Sequence, residues 1–288
     1  MNRYMSGTSD CSLVQAAPGR ISVRLLSIAL VTVVASAVVV AGCSAPKPVQ
    51  ALSPKASPRV TTASSPAPTI RLGRVASTTS RNWSGYCVTG RRFKSVSATW
   101  IQPPVSLKGK PWRGVDVWVG LDGWNGPTVE QVGTEADCQG GQTSWTDSYG
   151  WFEMYPQDPV DVVWAHVSVG KARMEIGPGD TISATVVRLG PRRFRLTLVD
   201  LTKGESFSTV QSSAAAHCAS AEIIVETPDK NGEELAAFKP IRFSKCTVDR
   251  RPLGAFVSKR VAVFSGGRQL TGASALNADG SGFSVARE

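Results

Sequence analysis

Hydrophobic and polar residues alternate along most of the chain after residue 82, as expected for strands that bury one face. About a dozen such segments follow one another at short spacing, most of them bounded by Gly, Pro, Asp or Asn. No helical period is sustained, although residues 212–220 are compatible with a single helical turn. The pattern predicts an all-β fold, a two-sheet antiparallel β-sandwich, since parallel βαβ units would need helices between strands.

The stretch 118–134 is central to this pattern. It contains the end of one predicted strand (115–121) and a second strand (128–133), joined by Gly, Asn and Pro turn residues. Side chains alternate along a strand, so Gln131 points the same way as Gly133. An amide beside a glycine suits the floor of a groove better than a packed core.

Several predicted strands have one apolar face and one face of carboxylates and aromatic rings. Three sets of residues share such a second face: Asp116, Trp118 and Gly120; Trp151, Glu153 and Tyr155; Glu222, Ile224 and Glu226. This face is too aromatic for a fully solvated surface and too polar for a core, which favours a substrate groove. An outer surface with scattered Trp and Glu is the alternative.

The N-terminal region has the features of an export signal. Two arginines precede an apolar run at 25–40, which is short for a membrane span, and the run ends at Val-Ala-Gly-Cys43, which resembles a bacterial lipobox. We therefore expect residues 1–43 to be a signal peptide and Cys43 to be lipidated. The protein would then be exported and either lipid-anchored at the cell surface, with a membrane partner through that anchor, or secreted from an ordinary signal peptide.

Residues 44–80 are rich in Pro, Ser, Ala and Thr and predict a linker or propeptide-like segment, which leaves 81–288 as the folded domain. The net charge is +10, and removal of the leader, with three arginines and one aspartate, leaves +8. The cations are scattered or in short pairs. This distribution argues against nucleic-acid binding and favours some affinity for anionic cell-wall or lipid groups.

Four cysteines lie in the predicted domain: Cys87, Cys138, Cys218 and Cys246. An even number in an exported protein suggests two disulfides, and three pairings are open. We favour Cys138–Cys218, which would join the two regions of the predicted groove, together with Cys87–Cys246. Free buried thiols are the alternative.

Familiar hydrolase and cofactor motifs are missing from the sequence. The two histidines, His166 and His217, lack metal-ligand spacing to other candidate ligands. There is no G-x-S-x-G elbow, aspartic-protease triplet, phosphate-binding loop or dinucleotide fingerprint. We expect neither a metal nor a cofactor.

A series of short motifs resembles the glutamic peptidases, the eqolisin family. They occur in the family's order over about residues 82–245, and they are Asn82-Trp-Ser-Gly-Tyr86, Ala98-Thr-Trp100, Trp118-Val-Gly-Leu-Asp-Gly123, Glu130-Gln-Val-Gly-Thr134, Trp151-Phe-Glu-Met-Tyr-Pro156, Gly179-Asp180 and Ala221-Glu-Ile-Ile-Val-Glu226. Phe152, Met154 and Tyr149 depart from common family residues, and roughly the last forty residues match poorly. These departures affect expectations about subsites rather than about activity.

The resemblance implies a concanavalin A-like sandwich whose concave face binds a polypeptide in an extended conformation. It implies a catalytic dyad at Gln131 and Glu226. Further family positions that line the groove match Trp83, Trp118, Asp122, Glu153 and Tyr155. We expect the protein to act as a monomer.

The two dyad residue types suit peptide hydrolysis. A carboxylate such as Glu226 can take a proton from water and return it to the leaving amine. The Gln131 amide cannot ionise and remains a hydrogen-bond donor at low pH. A glutamate base with an ordinary pKa near ~4.3 implies an acidic working range. The alternative function is a non-catalytic, lectin-like or adhesion sandwich that binds cell-wall glycans.

Overall fold

The described part of the chain folds almost wholly into β-strands. The computed structural model describes residues 71–107, 112–140, 145–162, 174–228 and 234–288, all within one unit from Pro68 to Glu288. The predicted signal peptide, Cys43 and His166 lie outside the described residues. No helix in this described part is long and apolar enough to cross a membrane.

Eighteen strands and one short 3-10 turn, Leu253–Ala255, make up the regular structure of the described residues. The strands are β1 (Val75–Ser80), β2 (Trp83–Thr89), β3 (Ser95–Ile101), β4 (Val105–Ser106), β5 (Trp112–Leu121), β6 (Val129–Gln139), β7 (Trp145–Tyr155), β8 (Val160–Asp161), β9 (Thr181–Gly190), β10 (Arg193–Asp200), β11 (Glu205–Ser212), β12 (Ser220–Glu226), β13 (Ala237–Phe238), β14 (Ile241–Val248), β15 (Arg251–Pro252), β16 (Ser258–Ser265), β17 (Arg268–Ala273) and β18 (Phe283–Arg287). Residues 213–219, where a helical turn was expected, form an irregular loop instead.

One hydrogen-bonded sheet of sixteen strands folds over on itself into two layers. Its order is β11-β10-β9-β3-β14-β18-β17-β16-β2-β12-β5-β6-β7-β8, with β1 on β16 and β15 on β14. Neighbours are antiparallel except for the pair β1 and β16. Strands β5 and β12 pack across the core against β3, and β6 packs against β9 and β10. The all-β, antiparallel prediction is confirmed.

The layers bury alternate residues of each strand, as the sequence pattern predicts. Val96 and Ala98 of β3 point into the same core as Val117 and Val119 of β5 from the opposite layer. The other faces of the two layers point away from this core. The outward face of β2, β12, β5, β6 and β7 is called the groove face below.

The folded domain begins earlier than the sequence suggested. Strand β1 lies inside the 44–80 segment predicted as a linker, and it pairs in parallel with β16 along its whole length. Its sequence, VASTTS, is small, polar and mostly exposed, so it carries little hydrophobic signal. Pairing with a strand some 180 residues away decides its conformation, which local sequence cannot reveal.

The disulfide prediction is wrong for this structure, because all four cysteines are free and buried. Cys87 belongs to a cluster on the groove face, whereas Cys246 lies in the core between the layers. Cys138 pairs with residue 113 near one end of β5, and the Cys218 amide binds Asp122 just beyond the other end. Nine residues of strand separate these two ends by roughly 30 Å, too far for a disulfide.

Glycine makes room for tryptophan on the groove face. The pairing of β5, β6 and β7 places Gly133 between Trp118 and Trp151 in one cross-strand row. A Cβ on Gly133 would overlap the Val117 carbonyl oxygen and lie 2.5 Å from the Cβ of Trp118. The two large rings therefore depend on the absence of a side chain between them.

We predict that Gly133→Ala destabilises the fold by about 3 kcal/mol or more, since backbone atoms must move to accept the methyl group. Thermal unfolding should show a Tm at least about 6 °C lower. Gly190→Ala, also in a strand but with open space around the added Cβ, is the matched control and should leave the Tm nearly unchanged. Equal melting temperatures for the two variants would contradict this account of the packing.

Candidate active site

Strand register brings the predicted site residues onto one face in cross-strand rows. Directly paired residues on antiparallel strands point to the same side of the sheet. The row that contains Glu226 runs across β2, β12, β5, β6 and β7 through Trp83, Glu226, Asp116, Glu135 and Tyr149. The row two residues further along runs through Gly85, Ile224, Trp118, Gly133 and Trp151. The third runs through Cys87, Glu222, Gly120, Gln131 and Glu153.

Gln131 and Glu226 thus lie on the groove face with only β5 between their strands. Ideal spacings put their Cα atoms roughly 10 Å apart across the sheet and 13 Å along it. Trp118 occupies the midpoint of this diagonal, on the intervening strand and in the intervening row. Any chemistry shared by the two side chains must therefore take place over the indole of Trp118.

Two hydrogen bonds hold the carboxylate of Glu226. The indole Nε1 of Trp118 donates to Oε2 at 2.8 Å, and Nδ2 of Asn82 donates to Oε1 at 2.7 Å. Glu226 ends strand β12 and is 8% exposed, so solvent reaches it only narrowly. The carboxylate is fixed at the edge of the face rather than free to rotate in water.

Gln131 is enclosed more tightly, at 1% exposure, and its amide is oriented by Glu153. Its Nε2 donates to Oε2 of Glu153, directly opposite on β7. A carboxylate accepts hydrogen bonds, so this contact fixes which end of the amide carries the N–H groups. Oε1 of Gln131 has no hydrogen-bond partner among the described residues. The amide sits in a desolvated position where a further polar contact would be strong.

Tryptophan rings form the floor between the two polar groups. Trp83 and Trp118 meet edge to face with ring centroids 5.0 Å apart, and Trp151 and Ile224 complete the same cluster. Tyr155 packs against this cluster from the end of β7 and is partly exposed. Trp83, Trp118 and Tyr155 thus lie together on the groove face.

An open cavity of about 400 Å³ adjoins this floor. It is lined by Trp83 and Trp124 together with Asn82, the residue that binds the carboxylate of Glu226. Nε1 of Trp83 has no hydrogen-bond partner among the described residues. The cavity is large enough for one or two side chains of a bound peptide.

Asp122 has a different role from the substrate contact implied by the resemblance. Its carboxylate accepts hydrogen bonds from the backbone amides of His217, Cys218 (2.5 Å) and Ala219 (2.7 Å), and the residue is 1% exposed. These contacts occupy both oxygens and fasten the loop that leads into β12. Asp122 therefore positions the strand that carries Glu226.

Comparison with known proteins shows the family of this chain. A model of the Peptidase A4 family matches residues 81–281, well over half of the chain. The chain belongs to the Peptidase A4 family. Aspergillopepsin-2 from Aspergillus niger is 27% identical to it over 181 residues, which are 55% of this chain and 60% of that protein. The chain thus spans about 60% of the length of this relative.

Solved structures of related peptidases share the fold. A scytalido-glutamic peptidase in complex with a transition state analog inhibitor is 26% identical, with a TM-score of 0.58 over 72% of this chain and 98% of that chain. SCP-B, an eqolisin-family peptidase in complex with the tripeptide Ala-Ile-His, is 24% identical, with a TM-score of 0.52 and the same coverage. At that lower identity, SCP-B supports only the fold.

Two further residues of this Peptidase A4 chain belong to the site although the sequence argument gave them no role. Asn82 precedes the motif residue Trp83 and binds Glu226. Glu222 lies four residues before Glu226 on strand β12 and points to the same face. Gly120 of β5 lies between Glu222 and Gln131 in the same cross-strand row. Alternation along the strand predicted that Glu222 lies on the groove face, and Asn82 begins one of the family motifs. The sequence therefore contained a signal for each of these two site residues.

Glu222 is a fully buried carboxyl in this Peptidase A4 chain. Its Oε1 accepts hydrogen bonds from the Trp124 amide at 3.2 Å and the Cys87 thiol at 3.6 Å. Burial raises the pKa of Glu222 to about 8, although the surrounding hydrogen bonds lower it in part. Burial also raises the pKa of Glu130, on the core side of β6, to about 7. Both groups are therefore protonated in the folded protein at acidic pH.

We predict that the protein is most stable in acid and loses stability between about pH 5 and pH 8. A carboxyl whose pKa is raised by folding stabilises the fold fully below its unfolded pKa, and this contribution disappears as the pH passes the folded value. For Glu222 the loss is on the order of 4 kcal/mol. Glu222→Gln, which keeps a neutral side chain of the same shape, should remove much of the fall in Tm across this range.

The exposed Glu175→Gln is the control and should show the wild-type pH dependence. Thermal melts at closely spaced pH values would measure all three proteins. A wild-type Tm that stays level or rises from about pH 5 to pH 8 would contradict the prediction.

Proposed function

We propose that this chain is an exported endopeptidase that hydrolyses peptide bonds with Gln131 and Glu226 and works best at acidic pH. The observation that carries the proposal is the shared face: a carboxylate held by Trp118 and Asn82 and an amide held by Glu153 lie on either side of one aromatic floor. Membership of the Peptidase A4 family supports the reaction class.

The spacing of the two groups suits one reacting centre. Ideal strand spacings put their Cα atoms roughly 16 Å apart, and in the proposed reacting complex two side chains with a reach of about 5 Å each would leave a gap of about 6 Å. A water molecule or a peptide carbonyl can bridge such a gap with a hydrogen bond at each end. The indole of Trp118 would support the peptide group from below.

In the proposed reaction Glu226 acts first as a general base. It takes a proton from water while the water oxygen bonds to the scissile carbonyl carbon. The carbonyl oxygen becomes an oxyanion, which accepts a hydrogen bond from the second N–H of the Gln131 amide. The C–N bond then breaks as Glu226 returns the proton to the leaving nitrogen. The carboxylate is regenerated, and water has been added across the peptide bond.

Glu153 and the buried carboxyls complete this proposal. Glu153 fixes which end of the Gln131 amide carries the N–H groups and leaves the second N–H for the oxyanion, and the amide needs no change of ionisation at any pH. Because Glu130 and Glu222 are neutral in acid, their burial costs the fold least in the range in which the enzyme would work.

The same proposal covers the substrate and the location of the protein. A polypeptide would bind in an extended conformation across a concanavalin A-like groove face, with side chains in the cavity beside Trp83 and Trp124. The protein would act as a monomer, exported through the signal at residues 1–43 and anchored through a lipid on Cys43.

We predict that Glu226→Gln and Gln131→Ala each lower kcat by at least about 10³-fold, because one removes the base and the other the oxyanion donor. Digestion of a denatured protein at about pH 4 would measure this, with thermal melts to confirm folding. Glu205→Gln, in the hairpin between β10 and β11, removes a carboxylate far from the groove face and should retain full activity.

Residual cleavage above about a tenth of wild-type activity in either folded variant would refute the assigned roles. A wild-type protein that cleaves nothing across the acidic range, yet binds cell-wall glycans, would favour the lectin-like alternative instead.

We also predict that Trp118→Phe lowers kcat about tenfold or more with a smaller change in KM, since it removes the donor that orients Glu226 while leaving a ring in the floor. Trp100→Phe is the control, because Trp100 is equally buried but packs in the core from β3. If the two variants lose the same activity, the loss in Trp118→Phe reflects lower stability, and the hydrogen bond from Trp118 to Glu226 does not contribute to catalysis.

A further inference from the structure

A second cavity lies on the outward face of the other layer. It has a volume of about 720 Å³ and is called the basic cavity here. Its floor is a cross-strand row of hydroxyl side chains, Thr247 of β14, Ser97 of β3 and Thr185 of β9. The hydroxyls of Ser97 and Thr247 are 2.8 Å apart. Such a floor can donate several hydrogen bonds to one ligand.

Positive charge dominates the wall of the basic cavity. Five cationic side chains line it, against the single carboxylate of Asp249. Asp249 binds one of the five, Arg91, at 2.6 Å. Within the described residues no ion pair engages the other four, which are Arg92, Lys94, Arg188 and Arg250. The cavity therefore holds a concentrated excess of positive charge.

The rim is held in place by the two-residue turn between β14 and β15. Asp249 and Arg250 both have left-handed backbone conformations, with φ of 48° and 62°. Such conformations are costly for residues other than glycine and persist where other contacts enforce them. Here Oδ1 of Asp249 accepts hydrogen bonds from the amides of Lys94 (2.6 Å) and Ser95 (3.1 Å). The turn thus ties the loop before β3 to Arg250.

Aromatic rings fix a further part of the rim. The guanidinium of Arg91 lies 5.6 Å from the ring centre of Phe93 and 5.0 Å from that of Phe256. Together with its ion pair to Asp249, this stacking leaves Arg91 little freedom. The rim is a built structure rather than a set of solvated side chains, so a ligand would lose little entropy in ordering it.

The basic cavity is remote from the groove face. Val96 and Ala98, which alternate with the floor residue Ser97, point into the core, and Val117 and Val119 face them from β5. Both layers of the sandwich therefore stand between the cavity and Gln131. A ligand in the basic cavity would not occupy the peptide groove.

We infer that the basic cavity binds a linear polymer whose negative charges are phosphate groups. Guanidinium groups and hydroxyls match the tetrahedral acceptor geometry of phosphate. Four unneutralised cations around one cavity call for several negative charges on one ligand, and the volume exceeds that of a single phosphate ion. The polymer would hold the protein with its groove face pointing away from the anionic surface.

The lining argues against nucleic acid and against a flat bilayer as the ligand. Val187 is the single apolar residue of the lining, and the nearby rings of Phe93 and Phe256 pack against Arg91 and are not among the lining residues on which a base could stack. The site is concave, with its hydroxyls at the bottom, so a chain of phosphates reaches the floor more readily than a planar array of headgroups.

The test is the binding of inorganic polyphosphate to the wild-type protein and to a variant with Arg92→Gln, Arg188→Gln and Arg250→Gln. Isothermal titration calorimetry at several salt concentrations would give the affinity and its salt dependence. We expect the triple variant to bind at least about 100-fold more weakly, with a shallower dependence on salt because fewer phosphates are neutralised. Its thermal unfolding and its peptidase activity should match those of the wild type.

The matched control carries Arg71→Gln, Arg74→Gln and Arg268→Gln, which remove three exposed cations outside the cavity. It should lose less than about threefold in affinity. Equal losses in the two triple variants would overturn the proposal, because binding would then follow net charge alone.

Two further ligands separate the sources of phosphate. Orthophosphate that binds as tightly as the polymer would reduce the site to one for a single ion and refute the polymer. The proposal would also be refuted if the protein bound phosphatidylglycerol vesicles more tightly than polyphosphate and the triple variant bound the vesicles as tightly as the wild type. Arg92→Gln alone, should the triple variant fold poorly, is expected to weaken polyphosphate binding about fivefold.

Discussion

The register of β5 with its two neighbours is the constraint on which the rest of the site depends. Gly120 pairs with Gln131 on one side and with Glu222 on the other, while Asp116 pairs with Glu226. A slip of one residue in either pairing would turn one set of polar groups into the core and bring valines to the surface. Because the core face is built mainly from apolar residues such as Val117, Val119 and Val132, burial of that face enforces the register that assembles the polar one.

Much of this arrangement could be predicted from the sequence, because parity along a strand is a local property. Alternation alone identified the faces of Trp118, Gln131 and Glu226, and the order of short motifs joined them into one family pattern. The structure confirms the antiparallel all-β fold and brings these three residues onto one face.

The features that the sequence did not reveal all depend on distant parts of the chain. Strand β1 exists because β16 offers it an edge, and the free cysteines reflect positions on different strand ends and faces. Asp122 belongs to a groove motif, yet its carboxylate is used by backbone amides of a loop about 95 residues away. Local residue type gives the chemistry available at a position, whereas tertiary contacts decide which partner uses it.

The two outward faces of the sandwich differ in electrostatic character. Glu226, Asp116 and Glu135 share one row of the groove face, whereas the hydroxyl floor on the opposite layer is ringed by arginine and lysine. The net charge of +10 is therefore not spread evenly over the surface. A molecule of this kind orients in the field of an anionic boundary, because the cationic cavity on one face is attracted to that boundary.

The pairing of β1 with β16 also has a consequence for the time at which the site is completed during synthesis. Ser80 closes β1 opposite Val263 and hydrogen-bonds to Asn82, which in turn binds Glu226. Strand β16 follows β1 by some 180 residues, so the edge that anchors β1 does not exist while the strands between them emerge. Contacts of such long sequence separation form late and slowly. A nascent chain therefore lacks this support for the Glu226 carboxylate until β16 has been synthesised and has paired with β1.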